Sequence, residues 1–191
     1  MPQAAMAVGL AANDADFEGI LALQRENLKP ALTPAEATEQ GFVTLVHTLD
    51  MLRGMHALAS SIVAKSGDTI VGYALTMLCE ARSLVPALEP MFEEIERVTW
   101  RGSPLTKRRF YVLGQICLAR SVRSTGLFGA LYAEHDARYA DRFDCLVTII
   151  SPLNARSLRA HAKVGFETVS RYPHGSGEQV LVARAMRRVS R

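Results

Sequence analysis

The stretch that decides the fold is Ile116-Cys117-Leu118-Ala119-Arg120-Ser121-Val122-Arg123-Ser124-Thr125-Gly126-Leu127-Phe128-Gly129. An apolar strand ends, a short polar turn follows, and a helix opens at Gly126. Such a turn points several backbone N–H groups in one direction, and the helix dipole adds partial positive charge there. Glycine keeps a Cβ from holding a phosphate away from those amides. Arg120 and Arg123 add full charges. The turn therefore suits a phosphate or pyrophosphate, although a capped helix with solvated arginines gives the same pattern. It is not a dinucleotide fingerprint, because GxGxxG is absent, and no GK[ST] makes it a P-loop.

A second stretch lies about thirty residues downstream. The β-branched run Cys145 to Ile150 reads as a strand covered on both faces. It leads into Ser151-Pro152-Leu153-Asn154-Ala155-Arg156-Ser157-Leu158-Arg159-Ala160-His161-Ala162-Lys163-Val164-Gly165-Phe166. Taken together, the two stretches resemble the GNAT superfamily of acetyl-CoA-dependent N-acetyltransferases. In that family a strand is followed by an Arg/Gln-x-x-Gly-x-Gly/Ala turn, and then by Asn-x-x-(Ala/Ser)-x-x-x-Tyr-x-Lys-x-Gly-Phe over a short helix. Ile116-Cys117-Leu118 fills the strand position and Arg123 to Phe128 the turn. Asn154, Ser157, Lys163, Gly165 and Phe166 match the second motif in register. Two positions depart. Phe128 stands where the family usually has Gly or Ala, and His161 stands where many members have a tyrosine.

The resemblance implies an α+β fold over residues 1–191 as one domain. Its sheet would be mixed and mostly antiparallel, with a splayed parallel strand pair and helices on both faces. It implies acetyl-CoA as acyl donor, no metal, and an amine acceptor attacking the thioester directly. The expected donor site is Ile116, Cys117 and Leu118 along the pantetheine arm, the amides from Ser124, Thr125, Gly126, Leu127 and Phe128 to Gly129 on the pyrophosphate, Arg123 beside it, and Asn154 and Ser157. An amide near Leu118 would face the thioester oxygen, where charge grows in the transition state. His161 is the candidate acid for the departing thiolate, since an imidazole of unperturbed pKa near ~6.5 can donate a proton. It also reads as an ordinary helix residue. The base is open among Glu26, His47, Glu80 and Gln115 through water. The alternatives are an acyl-CoA sensor or interaction module without turnover, and a Cys117–His161 nucleophile and base. The first would bind CoA yet show no acceptor-stimulated thiol release.

Working outward, apolar spacing predicts a helix from Asp16 to about Leu28, broken by the prolines at 30 and 34, and another from Thr48 to Ala59. Ser61 to Lys65 and Thr69 to Met77 read as strands joined at Gly67-Asp68. An acidic helix follows over Pro86 to Ile95, then a strand over Arg109 to Ala119 and a helix from Gly126 to about Asp141. After the short helix capped by Asn154, Phe166 to Arg171 and Gln179 to Ala185 close as an antiparallel pair. The acceptor cleft is expected around residues 27–44 and Trp100 to Leu105, and the acidic helix is a candidate attractor for a cationic amine.

Composition sets the remaining bounds. With 49% hydrophobic and 21% charged residues the chain is globular, not disordered. Its net charge of +3 does not announce a nucleic-acid partner. That total conceals an asymmetry. Residues 1–96 carry 5 basic and 13 acidic groups, whereas residues 97–133 carry 7 basic groups and no acid. Lys107-Arg108-Arg109 within that window reads as a solvated strand entry or a seat for the 3′-phosphate of CoA. Three cysteines without metal spacing read as reduced core thiols. No membrane span or signal peptide is legible, so a cytoplasmic location is expected, with no membrane partner. A homodimer is a further candidate assembly.

Overall fold

The computed structural model describes residues 6–33, 41–175 and 177–188. Strand β1 (Met6–Leu10) leads through Asn13, whose side chain accepts from the Asp16 amide, into helix α1 (Asp14–Asn27). Thr48 caps α2 (Leu49–Leu58) in the same way, by accepting from Met51 N–H. Strands β2 (Ile62–Ser66) and β3 (Thr69–Met77) form the hairpin expected around Gly67, which sits at φ +58°. A long connection then carries the 3₁₀ turn Pro86–Leu88, α3 (Glu89–Arg97) and a minor hairpin of β4 (Thr99–Trp100) and β5 (Ser103–Pro104). Next come β6 (Phe110–Leu118), α4 (Leu127–Tyr139), β7 (Cys145–Ile150), α5 (Ala155–Lys163), β8 (Glu167–His174) and β9 (Gly177–Ala185).

Seven strands make one sheet in the order β1-β2-β3-β6-β7-β9-β8, antiparallel throughout except for β6 and β7. The apolar residues of each strand divide between its two faces. One face packs Phe17, Ile20 and Leu23 of α1, Leu52 and Met55 of α2, and Met91, Phe92 and Ile95 of α3. The other packs Leu127, Leu131, Tyr132 and Tyr139 of α4, together with Phe166. Each large aliphatic side chain so buried contributes roughly 1.5–3 kcal/mol.

The alternation breaks once in β6. Val112 and Cys117 share a face although an odd number of steps separates them, while Tyr111, Leu113 and Ile116 lie on the other. The register explains it: Ala74 opposes Ile116 and Thr76 opposes Leu113, so β6 spends one residue more than β3 across that span. The extra residue is a bulge at Gly114-Gln115, and a bulge bends its strand. On its other side β6 pairs with β7 at Phe110↔Cys145, Tyr111↔Leu146 and Val112↔Val147, and no further. Past Val112 the two strands diverge, and among the described residues no strand pairs with the β7-facing edge of β6. This is the splayed parallel pair expected from the sequence.

Candidate active site

The divergence opens a cleft of about 590 Å³, bounded by β6, the turn after it, α5 and the loop between α1 and α2. It continues into a narrower chamber of about 120 Å³ between β6 and β7. Phe42, Val43, Ile116, Asn154 and Ser157 line both.

The turn owes its shape to two left-handed residues, Ser124 at φ +65° and Gly126 at φ +88°. Alternating backbone hand of this kind gathers successive N–H groups into a concave anion seat. The first intrahelical bond of α4 is Ala130 N–H to Gly126 O at 3.1 Å, so the amides ahead of it have no acceptor within the helix. A Cβ built on Gly126 or Gly129 would meet nothing within 4 Å. The space over both glycines is therefore open to a bound group. The residues present fit a pyrophosphate.

Arg123 reaches back from this turn. Its Nη2 donates to Asn27 Oδ1 at 2.5 Å and its Nε to Leu118 O at 3.2 Å, which ties the end of α1 to the loop. Burial, with Arg156 and Arg120 near, lowers its pKa. Asn154 has a comparable structural load. Its Oδ1 accepts from Ser157 N–H at 3.1 Å, and its Nδ2 donates to Phe42 O at 3.0 Å. One side chain thus caps α5 and pins the α1–α2 loop across the cleft.

Of the residues expected from the sequence, Ile116, Cys117, Leu118, Arg123, Ser124, Gly126, Phe128, Gly129, Asn154 and Ser157 line the cleft. Leu127 does not: its side chain is buried in the core under α4. Thr125 turns its hydroxyl to Val122 O, at 2.7 Å. The Phe128 ring packs edge-on against Tyr132 and His161, with centroids 5.2 and 5.1 Å away, so its bulk lies partly against α4 and α5. Cys117 is held neutral, because burial pushes its thiol up to about 12, and no contact joins it to His161.

His161 lines the chamber rather than the cleft. Its Nδ1 lies 2.8 Å from Ser157 O, an atom that can only accept, so Nδ1 carries the ring proton. Nε2 is buried and has no partner among the described residues. Phe128, Tyr132 and Phe166 surround the ring, and this burial lowers its pKa to about 4.

A polar network fixes the bulge. Gln24 Oε1 accepts from His47 N–H at 2.9 Å, which orients the amide so that its Nε2 donates to His47 Nδ1 (2.9 Å) and Gln115 Oε1 (2.8 Å). Tyr73 OH also donates to Gln115 Oε1, and Gln115 Nε2 donates to Leu45 O. His47 must then carry its proton on Nε2, and burial lowers its pKa to about 4. Among the base candidates only Gln115 lines the chamber. Glu26 and Glu80 are exposed and line neither cavity.

Three regions singled out in the sequence do not line the cleft. Trp100 to Leu105 does not border the cleft: Trp100 Nε1 donates to Glu167 at 2.9 Å, and Arg101 and Arg108 lie over the indole. Glu89 and Glu96 of the acidic helix pair with Arg82, and Glu93 with Arg97, so these three carboxylates meet cations of their own segment. Arg109 pairs with Asp144 and does not line the cleft, which agrees with the solvated strand entry among the two readings of that trio. The acceptor-side residues 34–40 lie outside the described residues. Arg156, Arg159 and Lys163 line the cleft from α5; of these only Lys163 stands out in the sequence, as a motif position, and none was assigned to the donor site. Their spacing of three and four residues, which places them on one helical face, was the available signal.

No family model and no curated protein matches the sequence. Solved structures do. A GNAT-family acetyltransferase from Streptococcus agalactiae superposes with a TM-score of 0.65 at 13% identity, covering 96% of each chain. The ribosomal-protein-S18-alanine N-acetyltransferase of Escherichia coli gives 0.62 at 10% identity, covering 97% of each chain. A phosphinothricin acetyltransferase from Sinorhizobium meliloti, solved with AcCoA, gives 0.58 at 16%, covering 95% of this chain and 88% of that one. The chain has the fold of the GNAT acetyltransferases.

Proposed function

We propose that this chain is an N-acetyltransferase that moves an acetyl group from acetyl-CoA to a primary amine of a small molecule or peptide by direct attack. The observation that carries the reading is the early end of β6–β7 pairing at Val112↔Val147, with a phosphate-shaped turn at the far end of the cleft so opened. Acetyl-CoA supplies the activated carbonyl. The chain's own groups bind and orient: the turn amides and α5 cations hold anionic oxygens, and the unpaired edge of β6 offers backbone partners to an extended amide-bearing arm. Similarity to both a ribosomal-protein alanine acetyltransferase and a phosphinothricin acetyltransferase keeps peptide and small-molecule acceptors in view.

The geometry favours the plainer role for His161. A neutral ring with its proton committed to Ser157 O has none to give at Nε2, and burial disfavours the doubly protonated form. The thiolate then departs without an acid from this residue. His161→Phe is expected to keep kcat within a few-fold. A loss of roughly 10²–10⁴-fold would restore the acid role. The parent reading is tested by thiol release from acetyl-CoA with a panel of amines. Acceptor-dependent release is expected. Saturable CoA binding without it would favour the sensor reading.

A further inference from the structure

Resting on the acyl-transfer reading above, we propose that Leu88 determines acyl-chain length by closing the inner end of the chamber between β6 and β7. The chamber measures about 120 Å³. Of the lining residues that the cleft does not share, Leu88, Gln115, Thr148, Ile150 and His161 are each less than a tenth exposed, and Gln115 and Thr148 follow shortly after Val112 and Val147, where the pairing of β6 and β7 stops, which marks that end as the inner one. Thr44 is exposed and Ser151 half-exposed, which marks the other end as the open one. An acceptor must enter from solvent. The acyl chain, delivered through the gap between the strands, is left with the closed end.

Two of these residues are fixed at the inner end by hydrogen bonds. Thr148 Oγ1 donates to Leu113 O at 2.9 Å, and Gln115 is held at both ends of its amide. Leu88 and Ile150 are apolar, and of the two Leu88 is the one outside the strand pair, so that its volume sets how far an alkyl chain can extend. It comes from the connection between β3 and β6, and that connection is braced. Arg82 pairs with Glu89 and Glu96 and lies over Phe92, 4.9 Å from the ring centroid, while Met91, Phe92 and Ile95 anchor α3 in the core. A braced wall does not move aside for a longer chain, and one methylene in such a pocket discriminates by roughly 10–200-fold.

The test is a chain-length ladder read by binding. Dissociation constants of acetyl-, propionyl-, butyryl- and hexanoyl-CoA are measured calorimetrically for the full chain and for Leu88→Ala, Leu88→Phe and Leu105→Ala. The parent chain should lose affinity as the acyl group lengthens. Leu88→Ala should raise the hexanoyl-to-acetyl affinity ratio about tenfold or more, and Leu88→Phe should lower the propionyl-to-acetyl ratio. Leu105 is fully buried in the same connection but lines neither cavity, so its variant should leave the ladder unchanged. An unchanged ratio in Leu88→Ala, or an equal shift in Leu105→Ala, overturns the assignment. Failure of the parent chain to bind CoA overturns it together with the transfer reading. The expected ladder without acceptor-dependent thiol release sinks the transfer reading and leaves the gate standing.

Discussion

Two basic regions of this chain look alike in one dimension and behave differently in three. Residues 97–109 hold Arg97, Arg101, Lys107, Arg108 and Arg109 without one acid among them. Folded, Arg101 meets Glu167, Arg109 meets Asp144 at 2.6 Å, and Arg97 lies 3.9 Å from Glu93. The α5 region instead brings Arg156, Arg159 and Lys163 to a cleft they share with Arg123. Among the described residues, that lining holds four cations and no carboxylate. In the first set Arg97, Arg101 and Arg109 meet carboxylates, and Arg108 lies over Trp100. The second is gathered where a polyanion would lie. Local charge density along a sequence says little about electrostatic function until partners are known, because an acid 66 residues away, as Glu167 is from Arg101, can cancel it.

The sharpest way to probe this contrast is at the anion seat itself. Gly126→Val places a β-branched side chain at φ +88° and a Cβ in the open space of the turn. CoA affinity is expected to fall by on the order of 100-fold or more, from both backbone strain and steric exclusion; calorimetric titration checks it. Charge reversal on the α5 face comes next. Arg159→Glu with Lys163→Glu should weaken CoA about tenfold or more and flatten the dependence of that affinity on salt, since exposed charges act through screened Coulomb forces.

Groups sealed from water give a smaller, global effect. Burial lowers His47 and His161 to about 4 and His135 to about 3. The unfolded chain then takes up protons first as pH falls below ~6.5, so stability is complete above that value and declines towards pH 4. The loss between pH 7 and 5 should be on the order of 1–2 kcal/mol for each histidine. Urea unfolding at the two pH values measures it, and an unchanged midpoint would mean that the imidazoles reach solvent. The smallest effect closes the comparison. Arg101→Ala and Arg109→Ala should leave CoA affinity unchanged and lower thermal stability only slightly. A loss of CoA affinity in either variant matching that of the α5 pair would break the contrast.

Much of the fold was legible. Asn154 announces a helix start because a short polar side chain can satisfy an early amide, and it does so, as Asn13 and Thr48 do at the starts of α1 and α2. The Gly67 hairpin and the β-branched run of β7 were equally plain. The polar turn was readable too, because two glycines and a serine at a strand-to-helix junction have few other uses. Less visible were β1 and the minor β4–β5 hairpin. Met6–Leu10 carries only five residues of weak alternation, and its strand character comes from pairing with β2. The bulge at Gly114-Gln115 was not legible, since an extra residue in β6 is defined only by what β3 does opposite it.

By itself, then, the sequence determined the order of the main elements and the placement of the polar turn before α4, because both rest on interactions within a few residues: caps, periodicity and glycine's access to positive φ. Tertiary structure decided which arginines are already paired, which way His161 holds its proton, and that a leucine some thirty residues upstream of the turn walls the chamber. Those properties depend on burial and on contacts between residues far apart in sequence, and such contacts come into being only when the chain folds.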